Sequence, residues 1–347
     1  MIYFNSDYLE GAHPAVMALL NETNLVQTGG YGEDVYCDRA RELIKEECRA
    51  PEALVQFLVG GTQTNMTVIS AALRPHQGVL CAHTGHIHVH ETGAVESSGH
   101  KVLALPSEDG KLTAEQVRQY VQTHREDPAF EHMVQPGMVY ISHPTEVGTS
   151  YTKAELTALS ETCRELGLYL FLDGARLAYG LAAAEADCLD MPTIAGLCDV
   201  FYIGGTKCGA LMGEAVVINH PDLKKDFRYM IKQKGGMLAK GRLLGIQFLA
   251  LFENGLYKEI GCHAIRLANK LRKAIRDLEI PFYQENNTNQ IFIILEDSQV
   301  TALSREFALS FTERVDENHS VMRICTSWAT TEEQVDQLIG ALQNICS

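Results

Sequence analysis

The chain has 347 residues, a formal net charge of −15 and an apolar content of 46%. That length accommodates one large domain or two ordinary ones, and the acidic balance excludes a general binder of nucleic acid or anionic membranes, which need basic surface. Ten scattered cysteines without a CxxC pair are expected as reduced thiols of a cytoplasmic protein.

The opening Met1-Ile-Tyr-Phe-Asn-Ser-Asp has no signal-peptide pattern, and no apolar run approaches the roughly 20 residues that cross a bilayer. Helical and extended patterns alternate without an internal repeat, which predicts an α/β protein with a mainly parallel sheet. After Ser6-Asp7-Tyr8, His13-Pro14 opens a helical run to about Leu25. The glycine-rich stretch from Gly29 to Tyr36 reads as a loop, and the charged run from Arg39 to Arg49 as a helix.

Leu54 to Val59 is the first clear strand. It opens into Gly60-Gly61-Thr62-Gln63-Thr64-Asn65 and a helix from Met66 to Leu73. Such a strand, glycine and helix-start arrangement binds phosphate through free backbone N–H groups and the positive helix end. A plain helix N-cap accounts for the same residues.

Gly78 to Ala82 and Lys101 to Leu105 read as strands flanking His83, His86, His88, His90 and Glu91. The alternation at 86, 88 and 90 reads as three imidazoles on one strand face, as a metal site needs. The other reading, favoured because no second ligand cluster stands out, is one histidine stacked on a cofactor with the rest at the surface. Thr113 to Gln116 and Thr152 to Glu155 each fit a capping box opening an amphipathic helix. Between them the strand Met138 to Ser142 runs into His143-Pro144-Thr145-Glu146-Val147-Gly148.

Leu168 to Asp173 is an apolar run ending in an acid, which predicts a buried strand with its carboxylate at the carboxyl edge of the sheet. A second run, Val200 to Ile203, breaks into Gly204-Gly205-Thr206-Lys207-Cys208-Gly209. This places Lys207 on permissive backbone at a strand end, where α/β sheets bind ligands. An acid on one strand and a lysine past the next is the pair that pyridoxal phosphate chemistry requires. The lysine forms an imine, and the carboxylate keeps the ring nitrogen protonated so that the ring accepts electrons. Spacing alone leaves open a helix-capping aspartate beside an unrelated loop lysine.

Glu214 to Asn219 is a further strand. Lys224, Lys225, Arg228, Lys232, Lys234, Lys240 and Arg242 form a local basic run, read as a solvated helical face with Lys240 or Arg242 available to a phosphate. From about Leu251 the chain reads as a smaller α+β unit, giving expected domains of 1–250 and 251–347. Its helices fall near 257–278 and 331–345, the second capped by Thr330 and Glu333, and its strands at Ile291 to Leu295 and Val321 to Cys325. Arg323 interrupts an apolar strand, so it is either paired with a local acid or aimed at an anionic ligand.

Together, Ser6-Asp7, Tyr31-Gly-Glu-Asp-Val-Tyr36, Gly60-Gly-Thr62 through Asn65, His86 to Gly93, Asp173-Gly-Ala-Arg176, Thr206-Lys207 and Arg323 resemble the threonine aldolase family of the beta-eliminating lyase superfamily. The resemblance implies a fold type I, aspartate-aminotransferase-like architecture: a three-layer α/β sandwich with a small carboxyl-terminal domain. It implies pyridoxal 5'-phosphate on Lys207, Asp173 at the ring nitrogen, Gly61 and Thr62 on the phosphate, and His86 over the ring. Arg176 would also stand among the cofactor's ligands; Ser6, Arg176 and Arg323 would bind the substrate carboxylate, with His86 or Glu146 as the base. It further implies a cytoplasmic homo-oligomer with shared sites, in which Tyr31, Tyr36 or Lys240 reaches a neighbour, Tyr31 on the substrate. Thr145-Glu-Val-Gly148 and Thr206-Lys-Cys-Gly-Ala210 depart from the family's usual Thr-His-Asn-Gly and Ser-Lys-Gly-Leu-Gly and are closer to a phenylserine-aldolase-like branch. The expected reaction is retro-aldol cleavage of an L-3-hydroxy-α-amino acid to glycine and an aldehyde. The alternatives are β-elimination to ammonia and a keto acid and, in another class, a histidine-rich metal-binding protein.

Overall fold

The computed structural model describes residues 1–183 and 189–346. Its strands are β1 (Ile2–Tyr3), β2 (Leu54–Leu58), β3 (Gln77–Ala82), β4 (Lys101–Leu105), β5 (Gln135–Ser142), β6 (Tyr169–Asp173), β7 (Val200–Gly204), β8 (Glu214–Ile218), β9 (Phe282–Gln284), β10 (Gln290–Glu296), β11 (Phe307–Ala308), β12 (Ser310–Arg314) and β13 (His319–Cys325).

Seven of them form the main sheet in the order β2-β8-β7-β6-β5-β3-β4. The pairs from β7 through β4 are parallel, while β8 is antiparallel to both β7 and β2. The expected α/β class with a mainly parallel sheet is therefore what the chain adopts. Side chains alternate between faces with a period of two. Val139, Ile141, Leu170, Leu172, Phe201 and Ile203 enter one core, and Met138, Tyr140, Phe171, Val200 and Tyr202 the other. Helices cover both faces, giving three layers. The first core takes Val35–Glu47, Ala114–Glu126 and Lys153–Leu166, and the second takes Gly61–Ala72 and Phe227–Gln233.

Because β8 alone is reversed, the carboxyl ends of β2, β3, β5, β6 and β7 share one edge with the start of β8. That edge is where the site lies. Two glycines let the central strand ends close up there: a Cβ on Gly174 would lie 2.1 Å from the Tyr202 carbonyl, and one on Gly204 would lie 2.3 Å from that of Ala175. Instead the Gly204 N–H donates to the Gly174 carbonyl at 2.9 Å, locking the turn after Asp173 to the turn before Lys207.

The smaller sheet is antiparallel, in the order β12-β13-β10-β9. Its core includes Ile291, Ile293, Ile324 and Val335, and also Phe4 from the amino-terminal arm. That arm is tied in by the parallel β1–β11 pair and by the Cys325 N–H donating to the Phe4 carbonyl. The long helix Leu256–Asp277 bridges both cores, with Tyr257 and Ile260 in one and Leu271 and Ile275 in the other.

Both predicted capping boxes are present, at Thr113–Gln116 and Thr152–Glu155. Other expectations need correction. His86–Val89 is a helical turn closed by the His90 N–H on the His86 carbonyl, so three imidazoles do not share a strand face. The second helix begins at Val35, not Arg39, because Asp34 accepts from the Tyr36 and Cys37 N–H groups and fixes an earlier start. The helix after β2 likewise begins at Gly61, not Met66. The last helix is capped by Thr331 with Gln334, while Thr330 accepts from the Ser327 N–H instead. Three members of the basic run hold the segment 23–33: Arg228 pairs with Glu33 at 2.7 Å, Lys232 lies over the Tyr31 ring, and Arg242 donates to the carbonyls of Thr23 and Val26. Among the described residues no helix is long and apolar enough to cross a membrane.

Candidate active site

A cavity of about 330 Å³ opens at the shared edge, lined by Gly60, Gly61, Thr62, His86, Glu146, Asp173, Arg176, Thr206, Lys207 and Glu214, with Tyr8 at its rim. A larger cleft of about 730 Å³ runs beside β4, but its one carboxylate, Asp127, is only partly buried. Chemistry rather than volume singles out the smaller one.

Asp173 ends β6 and is buried, with two donors on each oxygen. Oδ1 accepts from the Tyr202 hydroxyl at 2.5 Å and the Ala175 N–H at 3.0 Å. Oδ2 accepts from the Tyr140 hydroxyl at 2.5 Å and Asn65 Nδ2 at 3.2 Å. Lys207 follows β7 and is half-buried; among the described residues it has no ion pair, and its amine lies 5.9 Å from the Tyr8 ring centroid. Burial, followed by the Arg176 charge, pushes its amine below the ordinary lysine range, against the pull of Asp7 and Asp173. A larger neutral fraction makes the amine a better nucleophile.

His86 Nδ1 lies 2.8 Å from Glu91 Oε1, which also accepts from Asn65 Nδ2 at 2.7 Å. Burial lowers the His86 pKa, but the Glu91 hydrogen bond and the Asp173 and Glu91 charges outweigh it, and the net direction is up. Glu146 offers Oε1 to the Ser142 hydroxyl at 2.6 Å and the His86 N–H at 2.9 Å. Burial is the largest influence on its carboxyl and raises it above the ordinary glutamate range.

Arg176 binds Asp7 through Nε at 2.6 Å and Nη2 at 3.1 Å, and Asp7 also accepts from Asn289 Nδ2 at 2.9 Å. No local pattern in the sequence points to this buried pair; the expectation for Arg176 is a role toward cofactor and substrate only. Desolvation would raise the Asp7 carboxyl, but Arg176 and Lys207 hold it down at about 2. Arg323 donates to Gln290 Oε1 at 3.3 Å and the Asn5 carbonyl at 3.0 Å, and has no acid partner among the described residues. Tyr31 lies away from the cavity, beside Arg41 and Arg228, and neither Lys240 nor Arg242 lines it.

The residues present fit a phosphorylated, carboxylate-accepting cofactor site. The helix Gly61–Ala72 starts at the cavity with no side-chain cap on Gly60, leaving its first N–H groups for an anion. A Cβ at Gly61 would lie 3.1 Å from the Tyr202 hydroxyl, so glycine keeps the cradle open. Ser6 Oγ and Arg323 Nε are buried without a hydrogen-bond partner among the described residues, as groups that receive a ligand are. No cluster of three or more His, Cys, Asp or Glu among the described residues suits a metal ion.

Glu214 also escaped the sequence reading. It accepts from the Gly205 N–H and the Thr206 hydroxyl, both at 3.0 Å, which pins the lysine loop to β8. Burial pushes its carboxyl from 4.5 up to about 8. A folded value above the unfolded one means that the stability it contributes is full below about 4.5 and is lost as pH rises through about 8. Glu214→Gln mimics the protonated acid. Its melting temperature is expected to fall less than that of the unsubstituted protein between about pH 6 and pH 9. Equal slopes in the two proteins would show that Glu214 does not carry this proton.

The sequence profile of the beta-eliminating lyase family matches residues 4–298. The chain is 33% identical to a low specificity L-threonine aldolase of Pseudomonas sp., over 99% of this chain and 98% of that protein. It is 32% identical to a low specificity L-threonine aldolase of Pseudomonas aeruginosa, over 96% of this chain and 95% of that one. Among solved structures, the Leishmania major threonine aldolase superposes with a TM-score of 0.97 at 42% identity, covering 100% of both chains. An aspartate aminotransferase of Thermus thermophilus, at 15% identity and a TM-score of 0.70 over 99% of this chain and 91% of that one, shares the fold.

Proposed function

The chain belongs to the beta-eliminating lyase family, and from that premise we propose that it is a pyridoxal-phosphate-dependent aldolase. It cleaves L-3-hydroxy-α-amino acids between Cα and Cβ, giving glycine and an aldehyde. The observation that carries the reading is the meeting of Lys207 and Asp173 in one cavity with the uncapped start of the helix Gly61–Ala72.

When bound, pyridoxal phosphate supplies an electron-accepting ring into which the Cα–Cβ bonding pair is drawn. Lys207 Nζ would hold the cofactor through its carbonyl carbon, and the N–H groups of Gly61 and Thr62 would receive the phosphate. Asp173 would accept a hydrogen bond from the protonated ring nitrogen. Ser6 Oγ, Arg176 and Arg323 take the substrate carboxylate; Asp7 and the Asn5 carbonyl fix the angles from which the two guanidinium groups approach. That grip orients the scissile bond, the entropic part of the catalysis.

The β-hydroxyl proton goes to Glu146 or His86. Glu146 is tethered through one oxygen only, and His86 is oriented from behind by Glu91. Residues 1–250 serve as the cofactor-binding unit and 251–347 as the smaller unit. The protein works as a cytoplasmic homo-oligomer. Its exposed apolar residues Leu25, Val35 and Tyr229 are what a second copy would cover, bringing Tyr31 to a neighbouring substrate.

Borohydride reduction of the cofactor-soaked protein followed by peptide mapping is expected to trap the cofactor on Lys207. A colourless protein, or a label elsewhere, overturns the reading. Threonine, allo-threonine, phenylserine and serine should release glycine and aldehyde. Ammonia and keto acid as the main products would instead assign β-elimination.

A further inference from the structure

Asp173 is bracketed. Tyr140 comes from β5 on one side and Tyr202 from β7 on the other, and each hydroxyl reaches a different carboxylate oxygen at 2.5 Å. Both rings are 1% exposed, and Phe171 packs between them at 5.6 and 6.3 Å between centroids. Phenols donating to a carboxylate at this separation are short, charge-assisted hydrogen bonds, roughly twice as strong as neutral ones. Burial, then the Asp173 charge, pushes both phenols well above the ordinary tyrosine range, so they remain donors throughout the working range.

Packing alone does not require this. Phenylalanine would fill the same space, and a tyrosine hydroxyl buried under a sheet is a burden unless it has a partner. The two phenols are the shortest of the four contacts to the carboxylate, and with the Ala175 N–H and Asn65 Nδ2 they give each oxygen two donors and so fix its plane. Each phenol also draws charge from the carboxylate oxygen to which it donates.

Resting on the function proposed above, we propose that Tyr140 and Tyr202 are positioning residues that lower the proton affinity of Asp173, so that the shared proton resides on the cofactor's ring nitrogen and not on the carboxylate. A carboxylate without them would be the stronger base. It would draw the proton to itself, neutralise the ring and weaken its pull on electrons. The nitrogen that links Lys207 to the cofactor would then hold its own proton more tightly.

The test uses the holoenzyme and its Tyr140→Phe and Tyr202→Phe variants. The visible absorption band is titrated against pH, beside kcat, KM and melting temperature. Each variant is expected to titrate at a higher midpoint, with kcat lowered roughly tenfold, the scale of one hydrogen bond to a charged group, and KM little changed. A midpoint equal to that of the unsubstituted enzyme overturns the proposal and leaves the tyrosines as packing, whatever happens to the melting temperature. Should either variant fail to fold, site-specific 3-fluorotyrosine at position 140 keeps the shape and strengthens the donor. It must move the midpoint down, and no shift again overturns the proposal. An unsubstituted protein without a visible band overturns the proposed function as well, which separates the two failures.

Discussion

Lys207→Ala is expected to abolish aldehyde release, with kcat falling by at least ~10³-fold, the scale seen when one member of a catalytic unit is removed. Folding should survive the change. The Lys207 amine has no ion pair among the described residues, and it sits beside Arg176, whose charge it opposes. Removing it relieves repulsion and leaves no carboxylate stranded, because Asp7 keeps Arg176 and Asp173 keeps its four donors. Melting temperature and circular dichroism should therefore match those of the unsubstituted protein while activity and borohydride trapping both vanish. Retained activity, even a tenth of the original, would remove Lys207 from the chemistry.

Asp7→Asn should act in the opposite way, on stability first. Arg176 would be left buried without its counter-ion, and breaking a buried pair from one side costs about 3–5 kcal/mol. The substitution also loosens Arg176, so KM for the amino acid should rise more than kcat falls. Denaturant unfolding measures the first effect and steady-state kinetics the second; a stability change below about 1 kcal/mol would show that the pair contributes little.

Acid removes the same interaction. The folded carboxyl is held at about 2 against an ordinary 3.8, so its stabilisation is complete above the unfolded value and is lost as pH falls toward about 2. The size is on the order of 2 kcal/mol. The raised pKa of Arg176 points the same way, since each partner favours the charged form of the other.

What was legible in the sequence was what is written locally. Apolar runs gave β3, β4, β6 and β7, and the two threonine capping boxes needed only residues three apart. Asp173 and Lys207 stood out because each interrupts such a run at its end. What stayed hidden depends on which strand lies beside which. Tyr140 and Tyr202 looked like ordinary members of apolar strands, and only the order β7-β6-β5 brings them to either side of Asp173. A tyrosine inside a fully buried strand was the available signal, since its hydroxyl must find a partner.

The Asp7–Arg176 pair joins residues 169 positions apart, beyond the reach of any local pattern. The histidine run misled because a period of two over three residues is too short to tell a strand from one helical turn; the Gly85 backbone at its head and the bond from His90 back to His86 decided for the turn.

The arm that crosses to the small sheet sets the order of events during synthesis. Ser6 and Asp7 leave the ribosome long before the Asn289 that braces Asp7 and the Arg323 that rests on the Asn5 carbonyl. All seven strands of the main sheet, β2 through β8, are also made before those two residues. The arm therefore waits for partners that only the later, antiparallel sheet supplies.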